Sequence, residues 1–202
     1  MQEGKGMRRS NPERTDATRT ALLHAARRLF VEKGYGGTST PEIVAAAGVT
    51  RGALYHHFAD KKAVFAAVFE REAAAVAEAI EAAAPAAMSA LDALIEGSRA
   101  YLEAMAAPGR CRILLVEGPA ALGAEEAGRI DRDNAERTLR EGLAAAMAAG
   151  AFPSLPLGPL ATQLSALLDR AALSIEQGEP LAEHMAVVGA LLRGLAHSAQ
   201  AA

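Results

Sequence analysis

The densest run of chemically useful side chains lies between Thr50 and His57, where Thr50, Arg51, Gly52, Ala53, Tyr55, His56 and His57 surround one apolar Leu54. These groups either hydrogen-bond or are very small, which suits contact with phosphates and base edges. A guanidinium such as that of Arg51 can bond guanine O6 and N7 together, worth about 1–3 kcal/mol of discrimination against a wrong base. Gly52 and Ala53 permit close approach, and the Ala53 methyl could meet a thymine methyl. Lys61 and Lys62 follow at the start of the next helix. Two cations there oppose the helix dipole and make better sense beside an anion such as phosphate.

Short helices must position these groups. Ser39 followed three residues later by Glu42 is a capping box, with Pro41 in the first turn, so a helix runs to about Ala47. Gly48 supplies a sharp turn. Thr50 caps a second helix, roughly Arg51 to His57, and Asp60 caps a long one to about Ala83. Ile43, Ala47, Val49, Leu54 and Phe58 occupy the core positions of a helix-turn-helix. Ahead of it, a helix from about Pro12 to Lys33 carries Leu22, Ala25 or Ala26, Leu29 and Phe30 at three- and four-residue spacing.

Composition agrees with an all-α fold. About half the chain is apolar (51%), aromatics are only 4%, and Ala, the best helix former, is abundant. There is no alternating strand pattern and no repeat of fixed period. Further helices are expected at 87–106, 109–117, 124–149, 157–177 and 181–198, separated at Pro108-Gly109, Gly118-Pro119, Gly150 to Pro159 and Gly178 to Pro180. Residues 1–70 carry 11 Lys and Arg against 7 Asp and Glu, a net of +4, whereas residues 71–202 carry 10 against 17, a net of −7. A basic amino-terminal part on an acidic remainder fits nucleic-acid binding by the former alone.

The string from Gly48 to Lys61, GVTRGALYHHFADK, inside the longer GYGGTSTPEIVAAAGVTRGALYHHFADKKAVF, closely resembles the DNA-binding signature of the TetR (tetracycline-repressor-like) family. The resemblance covers about residues 14–70. One departure is Val44, where the family usually has Ala. The resemblance implies three parts: a tail at 1–11, a three-helix helix-turn-helix DNA-binding domain at 12–59, and a helical ligand-binding and dimerisation domain at 60–202. It implies DNA contacts at Thr40, Pro41, Thr50, Arg51, Gly52, Ala53, Tyr55, His57 and Lys61, with Tyr55 and Lys61 on phosphates. Arg51 is the candidate base reader, and His56 a residue without direct contact or with a water-mediated one. Arg8 and Arg9 in the tail could add nonspecific phosphate attraction. The partners implied are a palindromic double-stranded operator, a second copy of the chain and a small-molecule effector. The function implied is that of a transcriptional regulator, most often a repressor.

In the carboxy-terminal part, Leu160, Leu164, Leu167 and Ala171 recur at spacings of 4, 3 and 4, and Leu181, Met185, Val188, Leu192 and Leu195 at 4, 3, 4 and 3. These stripes are the expected dimer interface, through the last two long helices. Polar residues amid apolar neighbours mark an expected ligand pocket: Arg99, Tyr101, Arg112, Glu117, Asn134 and Arg137, with Met105 beside them. Glu117 could be a carboxylate awaiting a cationic ligand, or it could pair with a nearby Arg. Cys111, between two arginines, could have a lowered pKa.

Other classes fit less well. The histidines at 24, 56, 57, 184 and 197 form no HExxH, and the single cysteine forms neither a metal cluster nor a disulfide within the chain. There is no Walker loop and no GxSxG. Gly34-Tyr35-Gly36-Gly37 and Gly118 precede helices but follow no strand, so a dinucleotide fold is unsupported. No enzyme, cofactor or metal is expected. A purely structural helical protein would leave Thr50 to His57 unexplained. The basic amino-terminal residues are followed by no apolar stretch, and no run of about 18 apolar residues occurs, so the expected location is the cytoplasm with no membrane association.

Overall fold

A computed structural model describes the backbone of residues 11–84 and 88–200 and the side chains of 15–84 and 88–197. The first ten residues of the expected tail, Arg8 and Arg9 among them, and the expected start of the fifth helix at 87 lie outside the described residues. Ten α-helices and one π-helical segment account for the described elements. Packing divides the chain into two compact units, one ending at Val68 and the other beginning at Phe69.

In the first unit, α1 (Asn11–Lys33) buries Leu22, Ala25, Ala26, Leu29 and Phe30, the stripe that its spacing predicts. Gly34, at φ 75°, ends it. α2 (Thr40–Ala47) starts on a complete capping box: the Ser39 side chain accepts from the Glu42 N–H, and the Glu42 carboxylate accepts from the Ser39 N–H at 2.9 Å. Gly48, at φ 65°, turns the chain into α3 (Arg51–His57), whose Thr50 cap accepts from the Ala53 N–H at 3.2 Å. α4 (Lys61–Ala83) begins where Asp60 accepts from the Ala63 N–H at 2.8 Å. Ile43, Leu54 and Phe58 are buried with Phe30, Val64 and Phe65, while Ala47 and Val49 are half-buried. Full burial of a side chain such as Leu22 or Phe65 stabilises by about 1.5–3 kcal/mol. The division between the units falls inside α4, about two turns after its start.

In the second unit, α5 (Ala90–Met105) packs against α8 (Ala135–Ala148), α9 (Leu157–Glu176) and α10 (Leu181–Gln200). Leu102, Met105, Leu143, Ala146, Ala161, Leu168 and Val188 lie in their shared core. Two boundaries differ from those expected. Gly118-Pro119 does not break the chain: Arg112–Glu117 is π-helical and runs straight into α6 (Gly118–Leu122). Pro119 has no N–H for a regular helical bond. The wider turn absorbs this, and the Gly118 N–H reaches back five residues to the Ile113 carbonyl. The helix expected at 124–149 is two helices, α7 (Ala124–Arg132) and α8, because the backbone leaves helical geometry at Asn134 (φ −125°, ψ −104°).

Gly118 is required for a spatial reason. A Cβ there would lie 2.2 Å from Cε2 of the buried Phe69 ring. Gly118→Ala is therefore expected to destabilise the protein by about 1–3 kcal/mol, the usual range for overpacking a filled core. Urea denaturation with an unchanged midpoint would refute this.

Candidate functional site

The helix-turn-helix is held by a knot of polar contacts at the turn between α1 and α2. Thr38, almost fully buried, donates its hydroxyl to the Gly34 carbonyl at 2.8 Å, with the Leu29 carbonyl at 3.2 Å. Lys61 donates to the carbonyls of Tyr35 (2.8 Å) and Thr38 (2.9 Å), and its ammonium lies 4.3 Å from the Tyr35 ring centroid. Tyr35 packs edge-on against Phe65, which packs edge-on against Phe30. Lys33 pairs with Glu42 at 2.6 Å. Hydrogen bonds from Lys33 and then from Ser39 pull the Glu42 carboxyl down to about 2.

On this frame the sequence-predicted DNA contacts share one unit and stay largely open. Pro41, Thr50, Arg51, Gly52 and Tyr55 are exposed, and Thr40, Ala53, His57 and Lys61 are half-buried. Two of them pair on α3: the Arg51 guanidinium sits 5.5 Å from the Tyr55 ring centroid. The Tyr55 phenol is drawn below its ordinary pKa by the nearness of Thr40 and then of Arg51. His57 is pushed below the ordinary imidazole range by burial, then by His56 and Arg19, with Asp16 opposing. That shift favours its neutral form. Lys61 engages two of its three hydrogens with backbone carbonyls, a demand that its position in the sequence did not announce.

The second unit contains two cavities, of about 350 and 320 Å³, both bounded by Tyr101 and Ala135. Of the seven residues expected around a pocket, Tyr101 and Met105 line them. The other five are engaged elsewhere. Arg99 pairs with Glu96 at 3.3 Å. Arg112 pairs with Glu117 at 3.2 Å, so Glu117 takes the intramolecular of its two expected roles. Asn134 donates to the Ile130 carbonyl, and Arg137 bridges Glu81 (2.6 Å) and Glu141 (3.3 Å). Asp131 and Asp169, which sequence reasoning missed, line the smaller cavity. The available signal was Asp169 directly following the apolar run Ala166-Leu167-Leu168. The Tyr101 hydroxyl donates to Asp169. Burial raises Asp169, and burial, then Asp169 and Glu136, push Asp131 up to about 6.

Two further expectations need correction. Cys111 is not an activated thiol: burial, then Glu176 and Asp169, push it up to about 11, and its thiol donates to the carbonyls of Met105 and Ala172. Among the expected interface residues, Ala171, Met185, Val188 and Leu192 are buried inside the single chain. Leu160, Leu164, Leu167, Leu181 and Leu195 are half-buried, and the exposed apolar side chains of α10 are instead Val187 (58% exposed) and Leu191 (46%).

An all-helical chain with a capped, glycine-turned helix-turn-helix ahead of a cavity-bearing helical unit belongs to the class of helix-turn-helix regulators. Comparison with known proteins is specific. Residues 22–68 match the family model for bacterial regulatory proteins of the tetR family, and residues 91–198 match that for the tetracyclin repressor-like C-terminal domain. A TetR-family transcriptional regulator from Pectobacterium atrosepticum, known from its crystal structure, is 34% identical, with 93% of this chain and 97% of that one covered and a TM-score of 0.72. A putative TetR-family regulator from Syntrophomonas wolfei shares the fold at 21% identity and a TM-score of 0.77, covering 90% and 95% of the two chains. The HTH-type transcriptional regulator AcrR of Shigella flexneri is 42% identical over 72 residues, which is 36% of this chain and 34% of AcrR. The AcnR repressor of Corynebacterium efficiens is 41% identical over 63 residues, 31% and 34% of the two. The match thus spans about a third of the length of these curated relatives. The chain belongs to the TetR family of transcriptional regulators, which are not enzymes. Among the described residues, no helix is long and apolar enough to cross a membrane, and no group of side chains could hold a metal ion.

The Glu42 carboxyl generates a pH prediction. Its folded pKa lies below the ordinary 4.5, so its contribution is fully present above about pH 4.5 and is lost as pH falls toward 2. Glu42→Gln should lower the melting temperature at pH 7, with the gap from wild type closing as pH approaches 2. A gap that is the same at both ends would show that the charge is irrelevant.

Proposed function

We propose that the chain is a ligand-responsive repressor that binds a palindromic operator as a homodimer and is released by a small-molecule effector. The observation that supports this best is the exposed Arg51–Tyr55 pair on a helix-turn-helix whose Gly48 turn and caps are complete. α3 enters the major groove and α2 approaches the backbone. Thr40, Pro41, Tyr55 and His57 hydrogen-bond or touch the phosphate backbone. Thr50, Arg51, Gly52 and Ala53 face the bases, with Arg51 as the reader. Lys61 holds the α1–α2 turn and offers its remaining hydrogen to a phosphate. The net charge of +4 over residues 1–70 favours approach to DNA.

A palindrome needs two heads related by a two-fold axis. Val187 and Leu191, with the small exposed Ala190 and Gly194, form a face of α10 that water covers in the single chain. Together with the half-buried Leu160, Leu164 and Leu167 of α9, this face is the proposed meeting surface of two copies. An effector in the second unit acts if it binds a release-competent state more tightly than the DNA-binding one. A tenfold loss of operator affinity needs about 1.4 kcal/mol of such coupling. α4, which starts in one unit and ends in the other, is the natural carrier.

Selection from a random DNA pool is expected to enrich a palindrome. On that site, Tyr55→Phe should weaken binding to all sequences alike, whereas Arg51→Ala should relax preference at one base pair per half-site by about 1–3 kcal/mol. Uniform weakening by Arg51→Ala would remove its role as reader. Leu191→Glu is expected to give folded monomers by sedimentation and circular dichroism, while Val188→Glu, inside the core, should unfold the second unit. A Leu191→Glu protein that remains dimeric would rule out the α10 face.

A further inference from the structure

The smaller cavity of the second unit has a charge pattern that the effector reading leaves unexplained. Its wall is mostly apolar, from Phe69, Val76, Met105, Leu114 and Leu173 among others, and two carboxylates, Asp131 of α7 and Asp169 of α9, open onto it. Among the described residues lining either cavity there is no Lys, Arg or His. Asp169 accepts the Tyr101 hydroxyl. The Asp131 carboxylate makes no hydrogen bond or ion pair with the described residues, and Asp131 is half-buried. Two carboxylates beside apolar surface, with no cation among the described lining residues, favour an opposite charge between them. A ligand has room to supply that charge, since about 320 Å³ lies at the lower end of small-molecule sites.

We propose that this cavity binds a lipophilic organic cation, with its ammonium group set between Asp131 and the Asp169–Tyr101 pair and its apolar body against Phe69, Met105, Leu114 and Leu173. The proposal rests on the effector reading and gives that effector a chemical class. An anion of the same shape would face two carboxylates, and a neutral molecule would leave Asp131 unpaired. The groups facing Asp131 are Asp169 of α9, Tyr101 of α5, Glu136 of α8 and Arg132 of its own helix. Only Arg132 is cationic, and it is exposed, while the acids and the surrounding burial bring the Asp131 carboxyl up to about 6. A cation favours the ionised form, so affinity for it should fall as pH is lowered through about 6.

The test is calorimetric titration of the full chain with three matched probes below their micelle concentrations: decyltrimethylammonium, decanol and decanoate. The ammonium is expected to bind at least about tenfold more tightly than decanol, a difference of about 1.4 kcal/mol, and decanoate most weakly. Asp131→Asn should abolish that preference while leaving decanol affinity within about twofold, a spread of about 0.4 kcal/mol. Glu125→Gln, an exposed acid on the same helix, should change nothing. Decanoate binding as tightly as the ammonium, no ammonium binding at all, or a preference that survives Asp131→Asn would each overturn the proposal. The wild-type ranking and its pH dependence decide the matter even if the variant fails to fold. Operator binding measured in parallel separates the two readings. Ammonium that binds without releasing DNA supports the cation site and removes the effector role. Release by decanol or decanoate without preference for the ammonium keeps the effector role and removes the cation site.

Discussion

The orientation of the helix-turn-helix depends on one cation satisfying two backbone carbonyls. The turn between α1 and α2 leaves the Tyr35 and Thr38 carbonyls without helical partners, and the Lys61 ammonium bonds both. Lys61 can reach them because Phe65, one turn along α4, is wedged against Tyr35 and Phe30. Thr38 closes the other side by donating to the Gly34 carbonyl just after α1, with the Leu29 carbonyl of α1 beside it. With the turn held, Glu42 can cap α2 and bridge to Lys33. The exposed face of α3 is thus downstream of this polar knot.

The second unit works under a different constraint. The first unit fully buries Leu22, Phe30, Ile43, Leu54 and Phe65, whereas the second leaves two cavities both bounded by Tyr101. Unfilled space reduces stability. The Arg110–Glu72 pair at 2.9 Å, nearly buried, and the continuous π-helical path into α6 keep the frame around the smaller cavity intact. Leu114, Leu115 and Pro119 from that path line the cavity, so the widened turn is part of its wall. Such π-turns are most often found at functional positions.

Much of this was legible from the residues. Ser39 with Glu42, Gly48, Thr50 and Asp60 mark helix ends by local hydrogen-bonding rules that act within four residues, and each acts as written. The stripe from Leu22 to Phe30 marks the buried face of α1 by simple periodicity. Periodicity failed where two faces compete. On α10 the stripe through Met185, Val188 and Leu192 and the neighbouring one through Val187 and Leu191 are both apolar, and only packing against α5 decides which is internal. The break at Asn134 was hidden because the residues on either side are ordinary helix formers.

The sequence by itself therefore determined the all-helical class, the capped helix ends of the first unit and the place of the helix-turn-helix, because those follow from local chemistry and from a motif held within thirty-odd neighbouring residues. Tertiary structure alone decided which charges are neutralised and which face a cavity. Arg112, Arg137 and Glu117 look like pocket residues in the chain but find partners on their own or neighbouring helices. Asp131 and Asp169 look unremarkable, yet they meet across a void because α7 and α9 converge there, from positions 38 residues apart. Electrostatic energy depends on separation and on burial, and neither is a property of sequence distance.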